Sequence, residues 1–187
     1  MSTSLHTQAR PDDRAGHGAV LDPKALFHTG MIVDDLEAAM KTLGELGGYH
    51  WTSVMELDVT AVTPTGRQRA RQRFVLSLEE PRLELVEAVP GTVWVSEGHN
   101  GVHHVGYWAD ADTIAETSAT LTRLGLPVEA SNDSEADGAP LWAYHRGLGG
   151  LRIELLSTLM KPSMDAWING ADPDAVQRNA PGEKDRN

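Results

Sequence analysis

Apolar residues along the chain follow helical and strand periods, and the same order of periods occurs twice. Residues 26–33 form an apolar run of strand length, and the next segment carries apolar residues at helical spacing up to Gly47-Gly48. Asp34 or Asp35 can cap that helix, and the glycine pair can end it. Strand-like runs then follow at residues 51–62, 67–78 and 82–88. The first half therefore predicts a strand, a helix and three further strands.

The second half of the chain repeats this order. A strand is predicted at residues 102–109 and a helix at 113–124. Strands follow at 127–130, 141–145 and 151–157, and a last helix at 164–169. The pattern predicts an α+β fold of two tandem βαβββ modules whose curved mixed sheets form a shared groove. We expect the first module at 24–90, a linker at 91–100, and the second module with its C-terminal helix at 101–170.

Composition and charge narrow the possible functions. The net charge of −11 argues against nucleic-acid binding and against docking on anionic lipid, and the absence of cysteine excludes a thiolate metal site. No apolar run approaches the roughly 18 residues of a membrane span. Residues 1–23 and 171–187 are polar and aperiodic, which predicts a disordered N-terminal arm and a disordered tail. The N-terminus lacks the apolar core of a secretory signal, so we expect a cytoplasmic protein.

The repeat also places matching chemistry in its two copies. The stretch 27–36 reads Phe-His-Thr-Gly-Met-Ile-Val-Asp-Asp-Leu, and the stretch 103–112 begins His-His-Val-Gly. Each copy later has a strand with one glutamate, Glu84 in the first and Glu154 in the second. Strand side chains alternate faces, so the neighbouring leucines face the helices and both glutamates face away from them. By the same alternation, His104 lies opposite His103.

This order of elements, with a histidine on strand one and a glutamate on strand four of each copy, resembles the vicinal oxygen chelate superfamily. That superfamily includes glyoxalase I, methylmalonyl-CoA epimerase, extradiol dioxygenases, and fosfomycin and bleomycin resistance proteins. The resemblance is carried by residues 27–40, 82–87, 101–112 and 149–156, and is greatest to methylmalonyl-CoA epimerase and glyoxalase I. The family pattern selects His104 over His103. It implies that one divalent metal ion binds to four ligands: His28, Glu84, His104 and Glu154.

The chemistry that follows from this ligand set is Lewis-acid chemistry. Two imidazoles and two carboxylates suit a borderline divalent ion, which leaves Zn, Co, Ni, Mn and Fe open. The resemblance implies proton transfer next to a carbonyl through a metal-stabilised enolate, with a metal-bound glutamate as the base. We expect Glu154 to be that base, ahead of Glu84. The predicted function is a metal-dependent isomerase or lyase, either an epimerase or a glyoxalase-like enzyme.

Two groups of residues are candidates for contact with a small-molecule substrate. Every second residue from 67 to 73 is an arginine, and if the apolar face of that strand meets the helix, Arg71 and Arg73 reach toward the groove. There they would pair with an anionic or CoA-linked substrate. Aromatic residues can supply apolar walls, and the candidates are Trp108, on the same face as His104, and Tyr144.

Two other functions fit the same pattern. A non-haem iron ring-cleaving dioxygenase would use His28, His104 and Glu154, leave positions open for oxygen, and have no need of Glu84. A drug-binding or small-ligand-binding resistance protein would use the groove without catalysis. The presence of Glu84 favours the four-ligand enzyme. Relatives often form dimers, so we expect a homodimer.

Overall fold

The structure is a computed structural model, and it describes residues 19–96, 101–133 and 139–181. This part of the chain contains eight β-strands and four α-helices. The strands are β1 Leu26–Val33, β2 Met55–Thr63, β3 Gly66–Leu76, β4 Leu83–Glu87, β5 Val102–Ala109, β6 Val128–Asn132, β7 Trp142–Arg146 and β8 Arg152–Ser157. The helices are α1 Leu36–Gly47, α2 Ile114–Arg123, α3 Lys161–Ile168 and α4 Pro173–Arg178. None of these helices is long and apolar enough to cross a membrane.

The strands form one mixed sheet that closes into a barrel in the order β1-β4-β3-β2-β6-β7-β8-β5. β1 is parallel to β4 and β5 is parallel to β8, whereas the other neighbouring pairs are antiparallel. The β1–β5 ladder joins the two halves on one side. On the other side, pairs Ala61–Asn132 and Val62–Ser131 join β2 to β6. The groove predicted between two sheets is therefore the interior of a closed barrel.

Helices α1 and α2 cover the outer face of the barrel. Leu36 of α1 is fully buried against Leu85 of β4, and α2 packs in the same way on Leu155 of β8. Successive strand residues face opposite sides. Glu84 and Glu154, each one position before these leucines, therefore face the barrel interior.

A capping residue at each end of α1 determines its length. The Asp35 carboxylate accepts a hydrogen bond from the backbone N–H of Ala38 at 2.8 Å, which satisfies one of the free donors of the first turn. Gly48 ends the helix with a φ of 72°, a left-handed conformation that glycine adopts without steric cost. Helix α1 thus begins and ends where the sequence predicts.

The C-terminal segment packs into the barrel, contrary to the prediction of a disordered tail from residue 171. Trp167 of α3 is fully buried in the interior apolar cluster, and its indole N–H donates to Ser53 O at 3.0 Å. Asp172 caps α4, Val176 is buried in the same cluster, and Gln177 donates to Glu56 O at 3.0 Å. A helix of six residues with one buried apolar side chain is too short to produce a helical period, so the sequence does not reveal it. Residues 182–187 lie outside the described residues.

Two other predicted boundaries also differ from the structure. The segment predicted as a linker at 91–100 contributes Val93 and Trp94 to the buried interior cluster, and its residues 97–100 lie outside the described part. Of the predicted N-terminal arm, residues 1–18 lie outside the described part, whereas Val20 and Leu21 pack against the cluster beneath α2. In both segments, isolated apolar residues within polar sequence contact the folded body.

Candidate metal centre

Four titratable side chains from four adjacent strands meet inside the barrel. They are His28 on β1, Glu84 on β4, His104 on β5 and Glu154 on β8. These strands lie side by side in the order β4-β1-β5-β8. The structure thus brings together all four residues that the sequence singles out, and one chain supplies them all.

Each glutamate has a carboxylate oxygen close to the Nε2 atoms of both histidines. The two Nε2 atoms of His28 and His104 are 2.8 Å apart. Glu84 Oε2 lies 3.6 Å from His28 Nε2 and 3.1 Å from His104 Nε2. Glu154 Oε2 lies 3.1 Å from His28 Nε2 and 3.4 Å from His104 Nε2. Ligands held about 2.0–2.2 Å from one ion are about 3.0–3.5 Å from each other, so the two imidazoles with either glutamate have the spacing of one metal site.

Burial makes this cluster unfavourable without a cation. Burial lowers the pKa of His104 to about 3, although the negative charge of Glu154 acts to raise it. Burial also lowers the pKa of His28, although the negative charge of Glu84 acts to raise it. Burial also raises the pKa of Glu154 to about 8, against the opposing effect of His104, and it raises the pKa of Glu84. Two neutral imidazoles therefore face carboxyl groups that resist ionisation. A bound divalent cation would supply the positive charge that favours both carboxylates.

Unpaired atoms in the cluster agree with this interpretation. Glu154 Oε2 is buried and makes no hydrogen bond among the described residues. The ligand atoms of His28, Glu84 and His104 lie within 4.8 Å of one another, a spacing that could hold a metal ion. A buried acceptor without a donor is costly, and coordination to a cation would remove that cost. The donor types and spacing of His28, Glu84 and His104, with the unpaired Glu154 Oε2 beside them, therefore fit a divalent metal ion.

A glycine on the neighbouring strand makes room for each imidazole. Gly30 of β1 pairs with His104 of β5, and Gly106 of β5 pairs with His28 of β1. A methyl group at Gly30 would lie 1.9 Å from His104 Cε1, and one at Gly106 would lie 2.4 Å from His28 Cε1. Each histidine ring therefore occupies the space that a side chain on the opposite strand would fill. The His-x-Gly spacing, repeated at residues 28–30 and 104–106, is the sequence signal for these two glycines.

The relation between His103 and His104 differs from the sequence prediction. Strict alternation places them on opposite faces, yet their Nδ1 atoms are 2.9 Å apart. The β1–β5 register slips between the pairs Gly30–His104 and Met31–Val102, which leaves His103 as an extra residue in β5. An extra residue of this kind can bring two consecutive side chains to one side of a sheet. Both rings are buried.

The aromatic candidates lie beside the cluster. The Tyr144 ring is 5.1 Å from the His104 ring, centre to centre, and Tyr144 pairs with Glu154 across β7 and β8. The Trp108 ring is 4.5 Å from the Phe27 ring, which is 5.1 Å from the His28 ring. Tyr144 therefore contacts a candidate ligand directly, and Trp108 does so through Phe27.

The arginine candidates lie outside the barrel, which corrects the prediction that they reach the groove. Arg73 donates to both oxygens of Glu87, at 2.9 and 3.0 Å, and also pairs with Glu37 of α1. Arg71 donates to Glu56 at 2.6 Å and is 64% exposed. The apolar residues of β3, such as Phe74, fill the barrel interior instead of meeting the helix. The arginine face of the strand therefore meets α1 and solvent.

Comparison with known families gives a match over more than half of the chain. A family model described as the glyoxalase/bleomycin resistance protein/dioxygenase superfamily matches residues 27–140. This range is more than half of the 187 residues and confirms the resemblance inferred from the repeat. A search of curated proteins finds no match.

Several solved structures are similar to the chain. One is methylmalonyl-CoA epimerase in complex with methylmalonyl-CoA and NH4+, which has 17% sequence identity and a TM-score of 0.48. The match covers 71% of this chain and 93% of that chain. Another is a variant of the Streptomyces coelicolor epimerase with 2-nitronate-propionyl-CoA, at 18% identity, 71% and 96% coverage and a TM-score of 0.48. A third is the Mycobacterium tuberculosis epimerase, at 14% identity, 77% and 93% coverage and a TM-score of 0.46. The family assignment rests on the family model and not on these structures.

Proposed function

The chain belongs to the glyoxalase/bleomycin resistance protein/dioxygenase superfamily, and we propose that it is a divalent-metal-dependent isomerase or lyase that moves a proton next to a carbonyl group. The observation that supports this most is a carboxylate on each side of the imidazole pair. Glu154 Oε2 is 3.1 Å from His28 Nε2, and Glu84 Oε2 is 3.1 Å from His104 Nε2. An isomerase that removes a proton and returns it can use two such groups.

In this proposal His28, Glu84, His104 and Glu154 hold one ion of Zn, Co, Ni, Mn or Fe. When bound, the ion supplies Lewis-acid stabilisation of the negative charge that develops on the substrate carbonyl oxygen. Each half of the chain supplies one of the histidines and one of the glutamates. We therefore propose that the two halves are equivalent βαβββ modules around one site.

Glu154 is the proposed base. Without metal, burial raises the pKa of its carboxyl to about 8, which makes it a stronger base than an exposed glutamate, and a bound cation offsets part of that rise. Its Oε2 makes no hydrogen bond among the described residues and can therefore receive a proton from the carbon next to the carbonyl. Glu84, whose pKa burial also raises, holds the matching position and can return a proton from the other side.

Apolar and aromatic groups around the cluster support chemistry that excludes water. His104 is 0% exposed, His28 is 3% exposed and Glu154 is 6% exposed. Tyr144 is buried beside His104, and Phe27 with Trp108 borders His28. We propose that Trp108 and Tyr144 line the side where a small-molecule substrate binds. Low local polarity of this kind strengthens the electrostatic interactions of a buried site.

Replacing Glu154 with glutamine is expected to abolish turnover while leaving the fold intact. The amide matches the carboxylate in size but cannot accept the proton, and general-base catalysis contributes about 10²- to 10⁴-fold in rate. The assay is incorporation of solvent deuterium next to the carbonyl in a panel of 2-oxo thiohemiacetals and acyl-CoA epimers, with each metal in turn. The metal content of the variant is measured alongside, because glutamine also weakens a metal ligand.

The matched control for this variant is Glu87→Gln. Glu87 lies on the outer face of β4, where it pairs with Arg73 outside the barrel. The same chemical change there should leave turnover within about twofold of the wild type, since the site is not touched. Full deuterium incorporation by Glu154→Gln loaded with metal would rule out Glu154 as the base.

The dioxygenase alternative retains one supporting observation. The three residues whose ligand atoms lie mutually within 4.8 Å are two histidines and one carboxylate, although the carboxylate is Glu84 and not the Glu154 expected for a dioxygenase: His28, Glu84 and His104. That ligand type occurs in non-haem iron oxygenases. Oxygen consumption by the iron-loaded protein with catechol substrates would favour this alternative. Deuterium exchange without oxygen uptake would favour the isomerase.

A further inference from the structure

A third buried histidine lies directly behind the candidate metal centre. His103 is 2% exposed, and its Nδ1 is 2.9 Å from the Nδ1 of His104. Its other nitrogen, Nε2, is 2.9 Å from the backbone carbonyl oxygen of Val93. The three groups form a hydrogen-bonded chain that ends at the nitrogen of His104 that faces away from the cluster.

Only one arrangement of protons satisfies this chain when both rings are neutral. A carbonyl oxygen only accepts hydrogen bonds, so His103 Nε2 must carry the proton that it donates to Val93. The Nδ1 of a neutral His103 then has a lone pair and accepts from His104 Nδ1–H. His104 therefore carries its proton on Nδ1, and the lone pair on its Nε2 points toward His28, Glu84 and Glu154.

The carbonyl that starts the chain is itself held in place. Val93 is 8% exposed, and its backbone N–H donates to the side-chain oxygen of Gln68 at 3.1 Å. The neighbouring Trp94 carbonyl accepts from Val89 N at 2.8 Å, and Trp94 N–H donates to Thr92 Oγ1 at 3.1 Å. The turn before β5 therefore presents the Val93 carbonyl in a fixed direction.

The two histidines of the cluster differ in the hydrogen bonding of their Nδ1 atoms. His28 Nδ1 is buried and has no hydrogen-bond partner among the described residues. The corresponding nitrogen of His104 has His103. The two imidazoles occupy equivalent places about an approximate twofold axis, since each lies against a glycine of the opposite strand. Among the described residues, however, only His104 has a partner that determines its tautomer.

We propose that His103 is a positioning residue, which uses the Val93 carbonyl to hold His104 as the Nδ1–H tautomer with its Nε2 lone pair directed at the metal ion. The inference rests on the proposed metal site. Metal-bound histidines commonly donate their second N–H to a carbonyl or carboxylate, which fixes the ring orientation and tautomer, and loss of such a partner costs about 10- to 100-fold in metal affinity. Here a neutral imidazole takes the place of the carbonyl or carboxylate.

The first test measures the tautomer of His104 in the metal-free wild-type protein. Long-range ¹H–¹⁵N NMR of the imidazole rings should show a protonated Nδ1 and an unprotonated Nε2 for His104, and the reverse for His103. Finding His104 protonated on Nε2 would overturn the proposal. The spectrum needs neither bound metal nor a variant, so it tests the positioning role even if the protein binds no metal and the proposed function fails.

The second test compares two variants of His103 by their affinity for Co²⁺, measured by competition with a chelator. His103→Leu removes both hydrogen bonds and should weaken Co²⁺ binding by about 10- to 100-fold. His103→Gln keeps an acceptor for His104 and a donor for Val93, so it should restore most of that affinity. A purely structural role would make the two variants lose affinity together, and that result would contradict the proposal.

His145→Leu is the matched control. His145 is also fully buried, and its Nδ1 is 2.9 Å from the carbonyl oxygen of Leu126, but it contacts none of the four candidate ligands. Its replacement should leave Co²⁺ affinity and the His104 ring signals unchanged. A loss of affinity equal to that of His103→Leu would show that removal of any buried histidine has this effect, and would overturn the specific role of His103.

Discussion

Replacing Gly30 with alanine is expected to remove metal binding, although the change adds a single methyl group. The new Cβ would lie 1.9 Å from His104 Cε1, far inside contact distance. The His104 ring cannot easily move away, because it is 0% exposed and lies against His103 and Tyr144. Overpacking of this kind typically costs about 1–3 kcal/mol in stability. We expect Co²⁺ affinity to fall by at least about 100-fold, since the displaced ring is itself a ligand.

Gly106 is the equivalent position on the other strand, and Gly44 in α1 serves as the control. Gly106→Ala would place a Cβ 2.4 Å from His28 Cε1, so it should have a similar effect through the other histidine. Gly44→Ala in α1 adds a methyl group near Tyr49 and away from the cluster, and should leave Co²⁺ affinity unchanged. Wild-type affinity in Gly30→Ala would show that the histidine ring does not need the position seen in the structure.

His28→Ala is the second change with a large expected effect. It removes one of two nitrogen ligands, whose Nε2 lies 2.8 Å from His104 Nε2. Loss of a nitrogen ligand should exceed the roughly 10- to 100-fold cost of losing a supporting hydrogen bond, so we expect Co²⁺ affinity to fall by more than about 100-fold. Replacement of His50, an exposed histidine paired with Glu79, gives the control. His50→Ala should bind Co²⁺ as the wild type does, and equal binding by His28→Ala would remove His28 from the ligand set.

Much of the fold is predictable because apolar period and turn residues agree over long segments. β1 and β5 lie at the residues that the sequence predicts, 26–33 and 102–109. β2 starts at Met55 and not at residue 51, because Trp51 makes only an isolated bridge to Ser77 and donates its indole N–H to Met40 O. A residue that is outside the strand because of a tertiary contact does not change the local pattern of apolar and polar residues. The start of such a strand is therefore not visible in the sequence.

The arginine row shows why faces are harder to predict than strands. Both faces of β3 carry buried apolar residues, with Val75 beneath α1 and Phe74 in the barrel interior. In a closed barrel, the apolar character of a face does not tell whether it meets a helix or the interior. The ion pairs of Arg73 with Glu37 and Glu87 are formed in the observed orientation, and they depend on residues distant in sequence.

The four candidate ligands were predictable, whereas the residues that support them were not. His28, Glu84, His104 and Glu154 stand at equivalent places of a sequence repeat, and strand alternation puts both glutamates on one face. His103 reaches the same side as His104 only because the β1–β5 register slips there. A register slip depends on pairing between strands far apart in sequence, so periodicity within one strand cannot reveal it.

Direct titration of the metal-free protein shows whether these four side chains bind one divalent metal ion. Calorimetry with Co²⁺, Ni²⁺, Zn²⁺ and Mn²⁺ should show saturable binding of one ion per chain for at least one metal. That binding should be lost in His28→Ala and retained in His50→Ala. Absence of binding for all of these metals and for Fe²⁺, with the protein folded, would contradict the metal site and the enzyme proposed from it.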